Sequence, residues 1–588
     1  MRPSLARPAL VLLGLVAGLA AVARAQRSAP AGRDARADSL SELRHARDAQ
    51  ERFERLRQMH LPQTQRVAVR CDVRVGRYCY GYDESDELPP DEPPRIRSAR
   101  EALLAELARR AERIPGDAWL AGQRVRYLVE AGRAADAVAV ADGCRSDEPG
   151  WCASLAGLAL HAGGQTLRAD SAFAAALGAM ADDERCEWSD MSPLLAGELH
   201  RRYRATACRD RAALEERIWW LARPFLASAG NELRTEHYAR LTTARLYDQA
   251  RNPYNPSWGR DAREVLVRYG SPAGWSRDRF AESHVSGGAG PRITGYEPSP
   301  SYYFFPALRA VEAPENAEPD DWSLRDPMAR ARYALPETRR LADVESQVAL
   351  FRRGDSTLAA VAYAITARQE ARVATFAGAA AEVALVLARD ERTPPVIART
   401  PGGATRGTLT AVAPWRPTLV AVEATSADGR GAARDRRGTG AASPASASGV
   451  ALSDVLLLDG AAEPPGTLAD ALPRALPSVR LRRPLTVGLF WEVYGLAGRT
   501  EAVSVSLAVN RERASWKRRW GESLRLARRP APVRLRWDAR PDDPRQVGTG
   551  GVTLGVAELS PGTYAIEVTL RTPAGDSARA VRRVVIER

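Results

Sequence analysis

Glu232, Glu236 and His237 lie within six residues of one another, and Asp261 and Arg263 follow one short connection later. A histidine among carboxylates can ligate a metal or move protons as a general acid and base. On a helix, Glu232 and Glu236 share a face one turn apart, and Asp261 would join them from the next turn of the chain. The same spacing has a plainer use. Leu233, His237, Leu241 and Ala244 recur as one apolar stripe, Glu236 stands four residues before Arg240, and Asp261 with Arg263 would fix the loop that follows. That structural use is the favoured reading. Glu236, His237 and Asp261 are kept as catalytic candidates, with no metal or cofactor assigned. The chain has no H-E-x-x-H, G-x-S-x-G or phosphate-loop motif.

Other chemistry-bearing residues are scattered. His45, His60, His161, His200 and His284 do not cluster, and His161 falls where a packed helix is expected. Trp516, Lys517, Arg518, Arg519 and Trp520, followed by Arg525, Arg528 and Arg529, form the densest basic and aromatic patch. Stacking and charge would let it grip an anionic surface. An exposed excursion between two strands, with the tryptophans packed on the sandwich, explains it too, and that explanation is favoured. The formal charge of +13 is almost wholly arginine, because Lys517 is the single lysine. Those arginines are spread among 72 acids without a reader motif, so no nucleic-acid partner is expected.

The elements that must position the central acids come next. Asn231 is a good N-cap for a helix running to Ala250. Arg263 to Tyr269 alternates, with Val265, Val267 and Tyr269 on one side, which predicts a strand ending at Gly270-Ser271-Pro272. Asn231-Glu232-x-Arg234-x-Glu236-His237, followed by Trp258, Asp261, Tyr269, Gly270 and Pro272, resembles the segment that defines the bacterial GWxTD-domain proteins. The pattern departs at Ser257, Arg260, Ala262, Arg263, Leu266 and Ser271. The match covers about 40 residues, and the helical front and strand-rich back resemble the tetratricopeptide-containing branch of that family. The resemblance lends no activity.

Upstream, Asp117 caps a helix with Trp119, Val125 and Leu128 that stops at Gly132, and a helix with Ala137 and Val140 follows. The unit recurs as Trp151, Gly157, Leu160, Gly164, Ala169, Phe173, Ala176 and Leu177, which match the small and large positions of a tetratricopeptide repeat. A further helix is predicted to begin at Ser192-Pro193. Downstream, Tyr302 to Phe305 reads as an aromatic strand. Val348 to Leu358 reads as a hairpin turning at Gly354-Asp355, and strands follow near Glu382, Thr418, Leu485, Val503, Gly562 and Ala580. Two sandwiches of immunoglobulin or fibronectin type are expected, separated by a Gly, Ala, Ser and Arg-rich linker.

The N-terminus predicts export. Arg2 and Arg7 precede an apolar run from Leu10 to Val22, and Ala23-Arg24-Ala25 is a cleavage site after Ala25. Six cysteines fit an oxidising compartment, and nearest-neighbour bridges Cys71 with Cys79, Cys144 with Cys152 and Cys186 with Cys208 are the simplest pairing. The expected organisation is 1–25 signal peptide, 26–95 helix, disulfide hairpin and acidic linker, and 96–228 helical repeats. It continues with 229–340 GWxTD-like junction, 341–427 first sandwich, 428–448 linker and 449–588 second sandwich. The functional expectation is a periplasmic or extracellular, non-enzymatic scaffold with a protein partner in the envelope. The alternative is an envelope-acting hydrolase built on Glu236, His237 and Asp261.

Overall fold

The computed structural model describes residues 37–587 except 65–70, 82–88, 255–257, 279–292, 337–338, 367–379, 403, 441–448, 461–462, 483–485, 497–500, 513–532 and 541–546. The signal peptide and the patch from Trp516 to Arg529 lie outside the described residues, as does Ser257. A helical front is followed by many strands. The chain divides into two compact units, one of Met1–Leu194 with Gly230–Pro298 and one of Leu195–Ala229 with Ser299–Arg588.

In the first unit, α1 spans residues 37–60. Then come α2 (Pro94–Arg113), α3 (Ala118–Glu130), α4 (Ala134–Asp142), α5 (Trp151–Ala162), α6 (Thr166–Ala179) and α7 (Asp182–Trp188). After an excursion into the second unit through α8 (Gly197–Ala205) and α9 (Ala212–Ala222), the chain returns with α10 (Glu232–Asp248) and α11 (Arg260–Tyr269). The Asp117 side chain accepts from Leu120 N at the start of α3, as the sequence predicts, and Gly132 with φ +72° follows its end. A Cβ on Gly157 would come within 2.6 Å of the Phe173 ring, so this glycine sets how closely α5 and α6 approach. Phe173 is 1% exposed, and burying such a ring contributes roughly 2 kcal/mol. It packs 5.5 Å from Tyr238, which seats α10 on the α5–α6 pair.

Small strands complete this unit. β1 (Gln63–Thr64) pairs parallel to β4 (Gly274–Asp278), which pairs antiparallel to β5 (Ile293–Tyr296). The hairpin of β2 (Val73–Val75) and β3 (Tyr78–Tyr80) turns at Gly76-Arg77 and is closed by the Cys71–Cys79 disulfide. A two-stranded element this short gains persistence from such a closure. Cys144–Cys152 ties the end of α4 to α5, and Cys186 and Cys208 are each disulfide-bonded.

Two expectations are corrected here. Residues 263–269 form the body of α11 rather than a strand. Ala262, Leu266 and Tyr269, spaced at i, i+4 and i+7, are all buried, so the helical period wins over the alternation of Val265 and Val267. Gly270, at φ +84°, ends the helix. The helix expected from Ser192-Pro193 begins instead at Gly197, with 192–193 in a turn where Ser192 is held by Asp190.

In the second unit, β6 (Ser301–Tyr302) and β7 (Tyr333–Ala334) form a short pair. Tyr303, Phe304 and Phe305 are buried without continuing the expected strand. Seven strands follow: β8 (Arg340–Arg353), β9 (Ser356–Thr366), β10 (Ala380–Ala388), β11 (Val396–Pro401), β12 (Arg406–Ala413), β13 (Leu419–Ser426) and β14 (Gly431–Gly438). They form one sheet in the order β11-β10-β13-β14-β8-β9-β12, with β8 and β9 joined at the expected Gly354-Asp355 turn.

The remaining strands are β15 (Ala451–Leu452), β16 (Leu456–Asp459), β17 (Arg480–Arg482), β18 (Thr486–Tyr494), β19 (Val503–Arg511), β20 (Val533–Ala539), β21 (Gly548–Gly555), β22 (Gly562–Arg571) and β23 (Ser577–Glu587). They make a sheet centred on β18 and a second ordered β17-β23-β22-β19-β20. Leu489 and Trp491 of β18 share a core with Leu507, Ile566 and Val568 of the facing sheet.

The stretch expected as a linker at 428–448 contains β14, an interior strand of the seven-stranded sheet. Its arginines are not solvated. Arg436 donates to Leu221 O at 2.7 Å, and Arg434 donates to Pro224 O at 2.8 Å, so β14 satisfies carbonyls at and just past the end of α9. Glu423 on β13 accepts from Leu226 N and Ala227 N on the same segment.

Candidate functional site

Several of the residues singled out by motif lie on α10 or against it. Asn231 caps it, accepting from Arg234 N through its side chain at 3.2 Å. Glu232 occupies the first turn, where a carboxylate suits the helix dipole. Arg234 reaches Asp170 on α6 at 2.8 Å. Glu236 accepts from Arg240 Nε at 2.6 Å, the pairing that its spacing predicts, and from His161 Nε2 on α5, also at 2.6 Å. The other ring nitrogen of His161 lies 3.0 Å from Thr235 Oγ1. Arg240 in turn donates to the carbonyls of Val267 and Arg268, both at 3.1 Å, which closes the end of α11.

Gly270 sits against that guanidinium. A Cβ there would lie 2.9 Å from Arg240 Nη2. The glycine thus supplies both a left-handed φ and room for the arginine. A single relay therefore runs from α5 through α10 to α11: His161, Glu236, Arg240, then the backbone before Gly270.

Asp261 serves another contact. Its carboxylate takes a two-pronged grip from Arg77 at 2.7 and 2.8 Å and accepts from Arg77 N at 3.1 Å, joining the disulfide hairpin to the start of α11. It also accepts from Ala262 N at 2.9 Å. The partner foreseen for Asp261, Arg263, instead pairs with Glu187 at 2.5 Å. Local spacing could not show Arg77, which lies 184 residues away in sequence. Tyr269 stacks on Tyr80 of the same hairpin with centroids 3.7 Å apart and planes within 4°. Trp258 packs edge-on against Tyr247 at 5.4 Å. Pro272 lies under Gly295, where a Cβ would come within 2.6 Å of its ring.

The electrostatics follow from these partners. Burial works to raise the Glu236 carboxyl, but the charge of Arg240 and the hydrogen bond from His161 hold it well below its ordinary value. The Arg77 side chain does the same for Asp261. Burial, reinforced by Arg240, lowers His237 to about 3, against a weaker hydrogen bond with the Trp188 backbone. His237 is 3% exposed and is held neutral on the apolar stripe with Leu233, Leu241 and Ala244.

Glu236 therefore faces α5, Asp261 faces the β2–β3 hairpin, and His237 is enclosed. No hydrogen bond or ion pair among the described residues joins Asp261 to Glu236. Among the described residues no group of three or more His, Cys, Asp or Glu is placed to hold a metal ion. These contacts fasten α5, α6, α10, α11 and the hairpin to one another.

Sequence reasoning missed a second ionic cluster, in which Arg57, Arg126, Glu54 and Glu130 meet between α1 and α3. Arg126 donates to Glu54 at 2.5 Å and to Glu130 at 3.1 Å, and Arg57 pairs with Glu130. The signal available was the residue content of α1. Glu54 and Arg57 fall on the same side as the buried Phe53, which is unusual unless each has a partner.

No family model matches the chain, and no curated protein matches it. Among solved structures, there is similarity to the native conformation of alpha-2-macroglobulin from Escherichia coli. Identity is 11% and the TM-score 0.19, over 42% of this chain and 25% of that one. The trypsin-activated alpha-2-macroglobulin of the same organism gives 11% identity and a TM-score of 0.13, over 52% and 27%. The chain spans about a quarter of the length of that protein, and a likeness of this degree carries no argument about fold or function.

Proposed function

We propose that this chain is an exported, non-enzymatic interaction or scaffold protein of GWxTD type, in which tetratricopeptide-like helices engage a protein partner in the cell envelope and immunoglobulin-like β-domains space or dock the assembly. One observation carries the reading. Glu236 and Asp261, the acids best placed by sequence to do chemistry, are each committed to arginines that join separate elements. Carboxylates engaged in this way support a part in positioning helices.

Bridged cysteines support the oxidising address. No helix among the described residues is long and apolar enough to cross a membrane. The hydrolase alternative needs Glu236, His237 and Asp261 to converge on solvent, and with His237 enclosed it is the weaker reading.

The test is affinity isolation of the tagged, exported chain from envelope extract under gentle conditions, with the stoichiometry of each co-isolated protein measured. A partner in fixed ratio is expected, and Gly270→Ala, which loosens the relay, should release it. Recovery of the chain alone would overturn the proposal.

A further inference from the structure

The first unit holds a cleft of about 360 Å³, at the small end of the range for ligand sites. Its wall has two characters. Leu61, Pro62, Pro272 and Trp275 give it an apolar side, and Arg57, Arg100 and Arg126 bring three guanidinium groups to the other. Those side chains are only 5%, 9% and 2% exposed. Burying three cations in one wall is costly unless each is matched by an anion.

The matching differs from one to the next. Arg126 is saturated by Glu54, Glu130, Gln123 and the Arg251 carbonyl. Arg57 pairs with Glu130, but its Nε is buried without a hydrogen bond, 3.6 Å from Glu54. Arg100 is the least secured. Its Nε is also buried without a hydrogen bond, 3.9 Å from Glu130, and its hydrogen-bonding carboxylate is Glu92. Glu92 belongs to the segment Pro89-Pro90-Asp91-Glu92-Pro93, not to a helix or strand, and its side chain is 34% exposed. Glu54, by contrast, is fully buried and Glu130 is 21% exposed on α3.

We propose that this cleft binds a small organic carboxylate with an apolar body, and that the Glu92 carboxylate stands at Arg100 where the ligand's carboxylate would bind. The planar fork of an arginine matches a carboxylate in shape as well as charge. Trp275 and the prolines take the body by contact, and the volume suits a ligand on the order of fifteen non-hydrogen atoms. Binding exchanges one carboxylate for another at Arg100, so the charge balance of the buried cluster is kept. Glu92 then turns outward to water, where its charge is readily solvated. The proposal does not depend on the scaffold reading.

Isothermal titration of the full chain at physiological salt tests it. The titrants are N-acetyl-L-phenylalanine, N-acetyl-L-leucine and phenylacetate, with N-acetyl-L-phenylalaninamide and inorganic phosphate as contrasts. A saturable carboxylate interaction is expected, at least ten-fold tighter than that of the amide or phosphate. Glu92→Gln removes the competing charge at a part-exposed position and should tighten binding about five-fold or more. Arg100→Gln should weaken it at least ten-fold, with thermal melting used to verify its fold. Three results would each overturn the proposal: no saturable binding of any carboxylate to Glu92→Gln up to about 20 mM, an amide or phosphate that binds as well as the acid, or a folded Glu92→Gln protein that binds more weakly than the parent.

Discussion

His237 gives the sharpest test of how the junction is built, because burial keeps it neutral at a pH where the unfolded chain would charge it. Its folded pKa of about 3 lies below the ordinary 6.5. Above pH 6.5 neither state carries the proton, and the stabilising term is fully present. Below that, the unfolded chain binds a proton that the folded chain refuses, so stability falls as pH falls, down to the folded value. One pH unit is about 1.4 kcal/mol, so the stretch from pH 6.5 to 5 costs on the order of 2 kcal/mol. Carboxylates with lowered pKa values, such as Glu236 and Asp261, act in the same direction but only below their own unfolded values, so this window separates them from the histidine.

The groups facing His237 are Arg240 on its own helix, Arg263 on α11, Asp190 and the Trp188 backbone. Replacing His237 with Gln removes the titration while retaining a polar side chain. Because the chain has two units, one global transition is the wrong measure, and native-state hydrogen exchange of α10 amides by mass spectrometry is the right one. The parent should lose roughly 2 kcal/mol of protection in α10 between pH 6.5 and 5, after correction for intrinsic exchange. His237→Gln should start lower and stay nearly level. Parallel slopes for the two proteins would refute the claim that an enclosed, neutral imidazole sets the acid sensitivity of this helix.

Gly270→Ala should lower the stability of the first unit by about 2–4 kcal/mol, since it combines a backbone conformation that glycine tolerates with a Cβ driven into Arg240; urea unfolding followed at α10 and α11 checks this. In the second unit, Arg436→Met should cost about 3–5 kcal/mol by leaving Glu423 buried opposite an apolar group, and adding Glu423→Gln should restore part of the loss. Calorimetry of the single and double variants measures the coupling, and strictly additive losses would show that the two side chains act independently.

What could be read in the sequence was local and periodic. Asn231 announced a cap, and Leu233, His237, Leu241 and Ala244 announced the face that the structure buries. The Gly157 and Phe173 positions announced paired helices in contact. Arg263 to Tyr269 was misread because Arg-Glu-Val-Leu-Val-Arg-Tyr carries both periods. The burial of Ala262 and Leu266, off the alternating face, and the φ of Gly270 decide for a helix. Arg434 and Arg436 were hidden for another reason. Arginine among glycine and alanine reads as solvated chain, and what makes these two buried strand residues is a set of carbonyls more than 200 residues away. Of the candidate site, Glu236 with Arg240 was visible at i, i+4, whereas Arg77 with Asp261 depends on a distant hairpin.

The excursion through α9 has a consequence for the order of synthesis. Ile218, Trp219, Trp220 and Leu221 emerge early, yet Trp322, which donates to the Leu221 carbonyl, is made 101 residues later, and Arg434 and Arg436, which close the helix, more than 200 residues later. Until Arg434 and Arg436 leave the ribosome, the carbonyls of Arg223 and Pro224 just past this helix lack these donors in a newborn chain. Fragments ending between residues 298 and 430 should therefore be the ones that chaperones retain and that clump when released.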